Sequence, residues 1–150
     1  MRSVYDVDNR LSARQLSGFK GVRLAAVATV NSKGEPRAAP RSAAFLHGRF
    51  YLAANTKSVM AQRLEENPAV GMTYFENRLL IVAHGTVTQI RNGAPSFEGV
   101  RVEWEKAFRG GPQATRDIDV FIRVNATNML AFAHHPGKYP AAWARSGSHG

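Results

Sequence analysis

The sequence predicts an α+β protein: a small β-barrel of about six antiparallel strands with short helices set between them. Three observations lead there. Short apolar runs recur from Arg23 to Ala133, divided by Gly, Pro and Asn turns rather than by long crossovers. Segments at 11–19, 58–66 and 97–109 switch to helical spacing. No repeat, linker or break in composition divides the chain, so residues 1–150 are expected to form one domain.

Taken in order, Leu11, Leu16 and Phe19 give a weak amphipathic helix ended by Gly18 or Gly21. Arg23 to Val30 is an apolar strand, and Asn31-Ser32-Lys33-Gly34 has the chemistry of a turn. Pro36 opens an extended run from Arg37 to Phe45, and Arg49 to Ala54 returns as the other arm of a hairpin. With His47-Gly48 as a two-residue loop, Arg41 is expected near Ala54 across the ladder. Ser58 then caps a helix that buries Met60, Ala61 and Leu64 and stops at Asn67-Pro68. Ala69 to Phe75 and Leu79 to Ile90 are strands joined at Glu76-Asn77-Arg78, and Arg91 to Pro95 is a loop.

Phe97, Val100, Trp104 and Phe108 recur at helical spacing in a helix that Gly110-Gly111-Pro112 ends. That stripe reads as core or dimer contact in preference to a substrate platform. Asp117 to Val124 (DIDVFIRV) is the cleanest alternating strand, continued after a bend by Asn125 to Ala133. Ala144 to Gly150 is small and polar, expected to be a disordered tail.

Composition narrows the function. No apolar run approaches the ~20 residues of a membrane span, and Met1 to Arg10 lacks the apolar core of a secretory signal. The absence of cysteine removes disulfides, thiolate metal sites and a cysteine nucleophile. A cytoplasmic protein without membrane contact is expected. The formal net charge of +9 favours anionic partners. Its lysines and arginines are scattered from Arg2 to Arg145 without a dense run, so no nucleic acid is expected. A solvated basic surface and a basic cleft for an anionic small molecule both remain open.

Arg37 and Arg41 are four apart on one strand and share a face, either of a ligand cleft or of a solvent-facing edge. Asn55 to Ser58 is a polar loop entering a helix, a generic cap or a phosphate cradle. His134 and His135 are adjacent and diverge in an extended segment, so no metal site is expected. With Tyr139, in the stretch AHHPGKYP, they are either surface residues or a cover over a ligand. There is no nucleophile elbow, Gly-rich phosphate loop or acid–base carboxylate pair.

Most of residues 24 to 132 resemble the pyridoxamine 5′-phosphate oxidase-like family. The resemblance rests on the strand and turn ending G-E-P (34–36), the hairpin, the N-T-K-S segment (55–58) and the short helix ending L-E-E-N-P (64–68). The strand with Gly85 inside it and the long final strand continue it. It implies an FMN-binding split β-barrel that works as a homodimer, with cofactor sites at the interface, and an oxidoreductase acting on a small molecule. FMN is the cofactor implied, with coenzyme F420 the alternative that the basic charge suits; a non-catalytic cofactor-binding protein of the same fold is the other reading. Carried over, the cofactor lies near Pro40, Arg41 and Ser42 and near Ala53, Ala54 and Asn55. Its phosphate is held near Lys57, Ser58, Val59 and Met60. Leu80 stands where the partner subunit commonly offers a polar side chain, and Val59 and Met60 stand where the family commonly has arginine and lysine. No match to the oxidase's arginine-rich substrate segment is found, which argues against that particular activity.

Overall fold

The computed structural model describes residues 2–5, 19–76, 79–108 and 115–133. Among these described residues, seven strands and two helices follow in the order β1 (Arg2–Tyr5), β2 (Val22–Val30), β3 (Pro36–Leu46), β4 (Arg49–Ala54), α1 (Val59–Glu66), β5 (Ala69–Glu76), β6 (Leu79–Arg91), α2 (Phe97–Phe108) and β7 (Val120–Ala133). Every pairing is antiparallel, in the order β7-β4-β3-β2-β5-β6, and β6 pairs with β7 to close a six-stranded barrel. The expected α+β barrel is therefore the observed fold.

Closure depends on the length of β7. One edge of it runs the whole of β6, from Leu79↔Ala133 to Arg91↔Val120. Its other edge is shared: Val120–Val124 pair with β4, and Asn128–Ala131 pair with β1. The bend expected near Asn125 is a bulge. Between His84↔Asn128 and Gly85↔Ala126 the register shifts by one residue, leaving Thr127 unmatched. Two expectations need correction. β1 was not foreseen, because four residues that pair only with a distant strand are too short a run to carry a local pattern. β7 begins at Val120 rather than Asp117, because Ile118 N–H donates to Thr115 O in a turn and Asp119 is engaged elsewhere.

Alternation along the strands gives the barrel two apolar layers. Phe50 and Leu52 from β4, with Val120, Ile122 and Val124 from β7, fill the interior. The intervening Tyr51 and Phe121 point outwards, where α2 covers them with Phe97 and Trp104. The helical stripe thus buries Phe97 and Trp104, half-buries Val100 and leaves Phe108 51% exposed, so Phe108 is not core. On the surface of α2, Arg101 bridges Glu98 and Glu105. Its hydrogen bond holds the Glu98 carboxyl below the usual carboxylate range. That contribution is full above the ordinary carboxylate pKa and is lost as pH falls through the lowered one.

Local chemistry sets the joints. His47 (φ 49°) and Gly48 (φ 81°) form the two-residue turn of the β3–β4 hairpin, both in the left-handed region that such a turn demands. Ser58 caps α1 by accepting from Ala61 N–H at 3.2 Å, and Asn67 N–H closes the last turn on Arg63 O. The helix expected at 11–19 lies, apart from the buried Phe19, outside the described residues, as do His134, His135, Tyr139 and the 144–150 tail. No helix among the described residues is long and apolar enough to cross a membrane.

Candidate functional site

β2 and β3 pair with Thr29 opposite Arg37, Val27 opposite Ala39 and Ala25 opposite Arg41. Those six residues share one face by alternation, and at its end lies a shallow cleft lined by Val27, Thr29, Arg37, Ala39, Arg41 and Met60. Met60 belongs to the first turn of α1, so the helix N-terminus and the two guanidinium-bearing positions meet at this cleft. α1 is held in place by Arg63. Its Nε donates to Thr29 Oγ1 at 3.1 Å and its Nη2 to the carbonyl of Glu35 at 2.5 Å. Thr29 itself is buried.

The loop before α1 is tied from a distance. Asp119 accepts from Thr56 N–H at 2.7 Å and from Thr56 Oγ1 at 2.9 Å, a charge-assisted pair spanning 63 residues. Asn55 Oδ1 accepts from Lys57 N–H at 2.9 Å, and Asn55 O accepts from Ser58 N–H at 2.9 Å. Most of the loop's amides are therefore already engaged. Val59 and Met60 N–H make no hydrogen bond among the described residues, and these two donors face the N-terminal end of the helix.

The expected site residues divide by face. Arg41 and Met60 line the cleft, Lys57 is exposed beside it in sequence, and Ser58 caps the helix. Pro40 and Ser42 lie on the opposite, outer face of β3, opposite Ala26 and Leu24. Ala53 packs under α2, Ala54 packs against the barrel interior, and exposed Asn55 ties the loop. Leu80 is buried at 2% exposure. The hairpin register is as expected, but its ladder ends at Ala43↔Leu52, two residues short of bringing Arg41 opposite Ala54; there β4 pairs with β7 alone. Val27, Thr29 and Ala39 were not foreseen as cleft residues, although counting back across the Asn31–Gly34 turn from Arg37 would have found Thr29. Asp119 had no local pattern to reveal it.

Residues 13–128 match the family model described as pyridoxamine 5′-phosphate oxidase. The chain belongs to that family. Among solved structures, the pyridoxamine 5′-phosphate oxidase fold recurs in the conserved hypothetical protein Rv2991 from Mycobacterium tuberculosis, at TM-score 0.67 and 17% identity, covering 93% of each chain. A structure described as an F420 reductase aligns at TM-score 0.59 and 20% identity, over 77% of this chain and 94% of that one. HutZ, the heme storage protein from Vibrio cholerae, aligns at TM-score 0.64 and 14% identity, over 82% and 93%. These likenesses establish the fold that the family member shares with proteins of different ligands. No protein of curated function matches its sequence.

Proposed function

We propose that this chain binds an anionic redox cofactor of the flavin class at the β3–α1 cleft and acts as an oxidoreductase on a small organic molecule. FMN is the first cofactor and F420 the alternative. The observation that carries the reading is the meeting of Arg37, Arg41 and the first turn of α1 at one cleft in a member of this family. Two guanidinium groups and two uncommitted amides, with Lys57 just ahead of the Ser58 cap in sequence, suit a phosphate or carboxylate tail. When bound, the cofactor's ring system carries the hydride or electrons. The chain's own residues bind the tail, and positive charge near the ring favours its reduced, anionic form. Few catalytic side chains are then required of the protein.

A second reading has its own support. Val59 and Met60 replace the usual cationic pair, and the amides of Thr56, Lys57 and Ser58 are already engaged, which fits a cofactor carrier without turnover. Visible absorption of the purified protein, before and after loading with FMN, F420 or haem and desalting, separates the readings. A retained flavin or deazaflavin band that an electron donor bleaches and an acceptor restores is expected. Arg41→Ala should then weaken cofactor binding about 10- to 100-fold, the size of one charge-assisted hydrogen bond. Retention without turnover, or of haem alone, would favour the carrier; retention of nothing would remove both.

The working unit in this reading is a homodimer seated on the outer face of β2, β3 and β5. Leu24 is 68% exposed and Phe75 57% exposed there, with Ala26, Ala28, Ala38 and Pro40 exposed between or beside them. An apolar sheet face of this kind commonly marks an interaction surface. Light scattering is expected to give twice the chain mass, and a monomer mass at working concentration would end the dimer proposal.

A further inference from the structure

At the other end of β4 from the cofactor cleft, a half-open hollow of about 350 Å³ separates the β3–β4 turn from the start of α2. Leu46, Tyr51, Pro95 and Val100 form its apolar walls, and His47 and Glu103 its polar edge. His47 Nε2 lies 3.7 Å from Glu103 Oε2, and Lys106 Nζ lies 3.4 Å from Glu103 Oε1. Both partners of Glu103 are well exposed, His47 at 75% and Lys106 at 70% side-chain exposure, so water and ligands compete with them readily.

Tyr51 gives the hollow its character. The residue is buried to 9% exposure beneath α2, yet its hydroxyl makes no hydrogen bond among the described residues. Here the phenol borders an open space of ligand size, with a carboxylate on the rim. Although the chain's net charge of +9 favours anions at long range, a carboxylate beside a phenol oxygen offers this hollow two local acceptors for a cationic donor. Gly99 also lines it, and a Cβ there would meet nothing within 4 Å.

We infer that this hollow is a second ligand site, separate from the cofactor cleft, for a small molecule with an apolar body and a protonated amine. The body lies between Tyr51, Leu46 and Val100. The ammonium donates to Glu103, displacing the exposed Lys106, and to the Tyr51 hydroxyl oxygen. This assignment does not depend on which cofactor the chain carries.

The test uses the whole chain as purified, with NMR amide shifts following titration by phenethylammonium, phenethyl alcohol and hydrocinnamate. Phenethylammonium is expected to saturate shifts at His47, Gly99 and Val100. It should bind about tenfold or more tighter than the alcohol, in line with a charged hydrogen bond, and hydrocinnamate should move nothing there. Glu103→Gln should bring the amine down to the alcohol's affinity, and Tyr51→Phe should weaken both. Gly99→Leu fills the hollow at a helical position where glycine is the less favourable residue, so it should fold and bind none of the three. Equal binding of the three probes, no saturation at these amides, an amine preference that survives Glu103→Gln, or binding that survives Gly99→Leu would each overturn the assignment. Shifts confined to Arg41 and the Lys57 loop would also overturn it while leaving the cofactor reading intact.

Discussion

Gly85→Ala is expected to cost about 3 kcal/mol or more, a fifth to more than half of the stability of a domain whose whole stability is of order 5–15 kcal/mol. Gly85 pairs with Ala126 beside the bulge that joins β6 to β7. A Cβ added there would stand 2.0 Å from the Asn125 carbonyl oxygen and 2.9 Å from Ala126 Cα. Both are backbone atoms, so no side chain can turn aside to make room. Relief requires moving β7 away from β6, which opens the seam that closes the barrel. Urea denaturation followed by circular dichroism reads the effect. A midpoint equal to that of the parent would show that β7 shifts freely, and that the bulge does not fix the closure.

Trp104→Ala is expected to destabilise the chain by about 3–5 kcal/mol, the range for an aromatic removed from a packed core. Trp104 is 2% exposed and its ring centre lies 5.5 Å from that of Phe121. It is the largest of the fully buried side chains among the described residues, and it joins α2 to the outer faces of β4 and β7. Phe108, from the same stripe but half exposed, is the control: Phe108→Ala should cost under about 1 kcal/mol, as most exposed positions do. Comparable losses at both positions in a chemical denaturation series would mean that the layer under α2 is not what holds the helix down.

The elements that were legible in the sequence are those whose determinants are local. Ser58 with its helical spacing gave α1, Asn67-Pro68 gave its end, and His47-Gly48 gave the register of the β3–β4 hairpin. What escaped was set by partners far along the chain. β1 exists because β7 offers it an edge, and the Thr56 loop takes its shape from Asp119. The site shows the same division. Period-two alternation placed Arg37 and Arg41 on one face. It did not reveal that the β3–β4 ladder stops before Arg41, or that the amides of Thr56, Lys57 and Ser58 entering α1 are already engaged. Tyr51 read as an ordinary strand residue, because nothing in RFYLAA distinguishes a phenol with a partner from one without.

The sharing of β7 between three other strands also orders events during synthesis. β2 to β5 can pair among themselves as they emerge, because their partners lie close in the chain. The free edges of β4 and β6 have no partner until residues 120–133 arrive. Until then the nascent chain is an open sheet with two exposed rims, and contacts of long sequence separation govern its completion. The interval between making β6 and making β7, occupied by α2, is therefore the period in which a nascent chain is most exposed to a neighbour's edge.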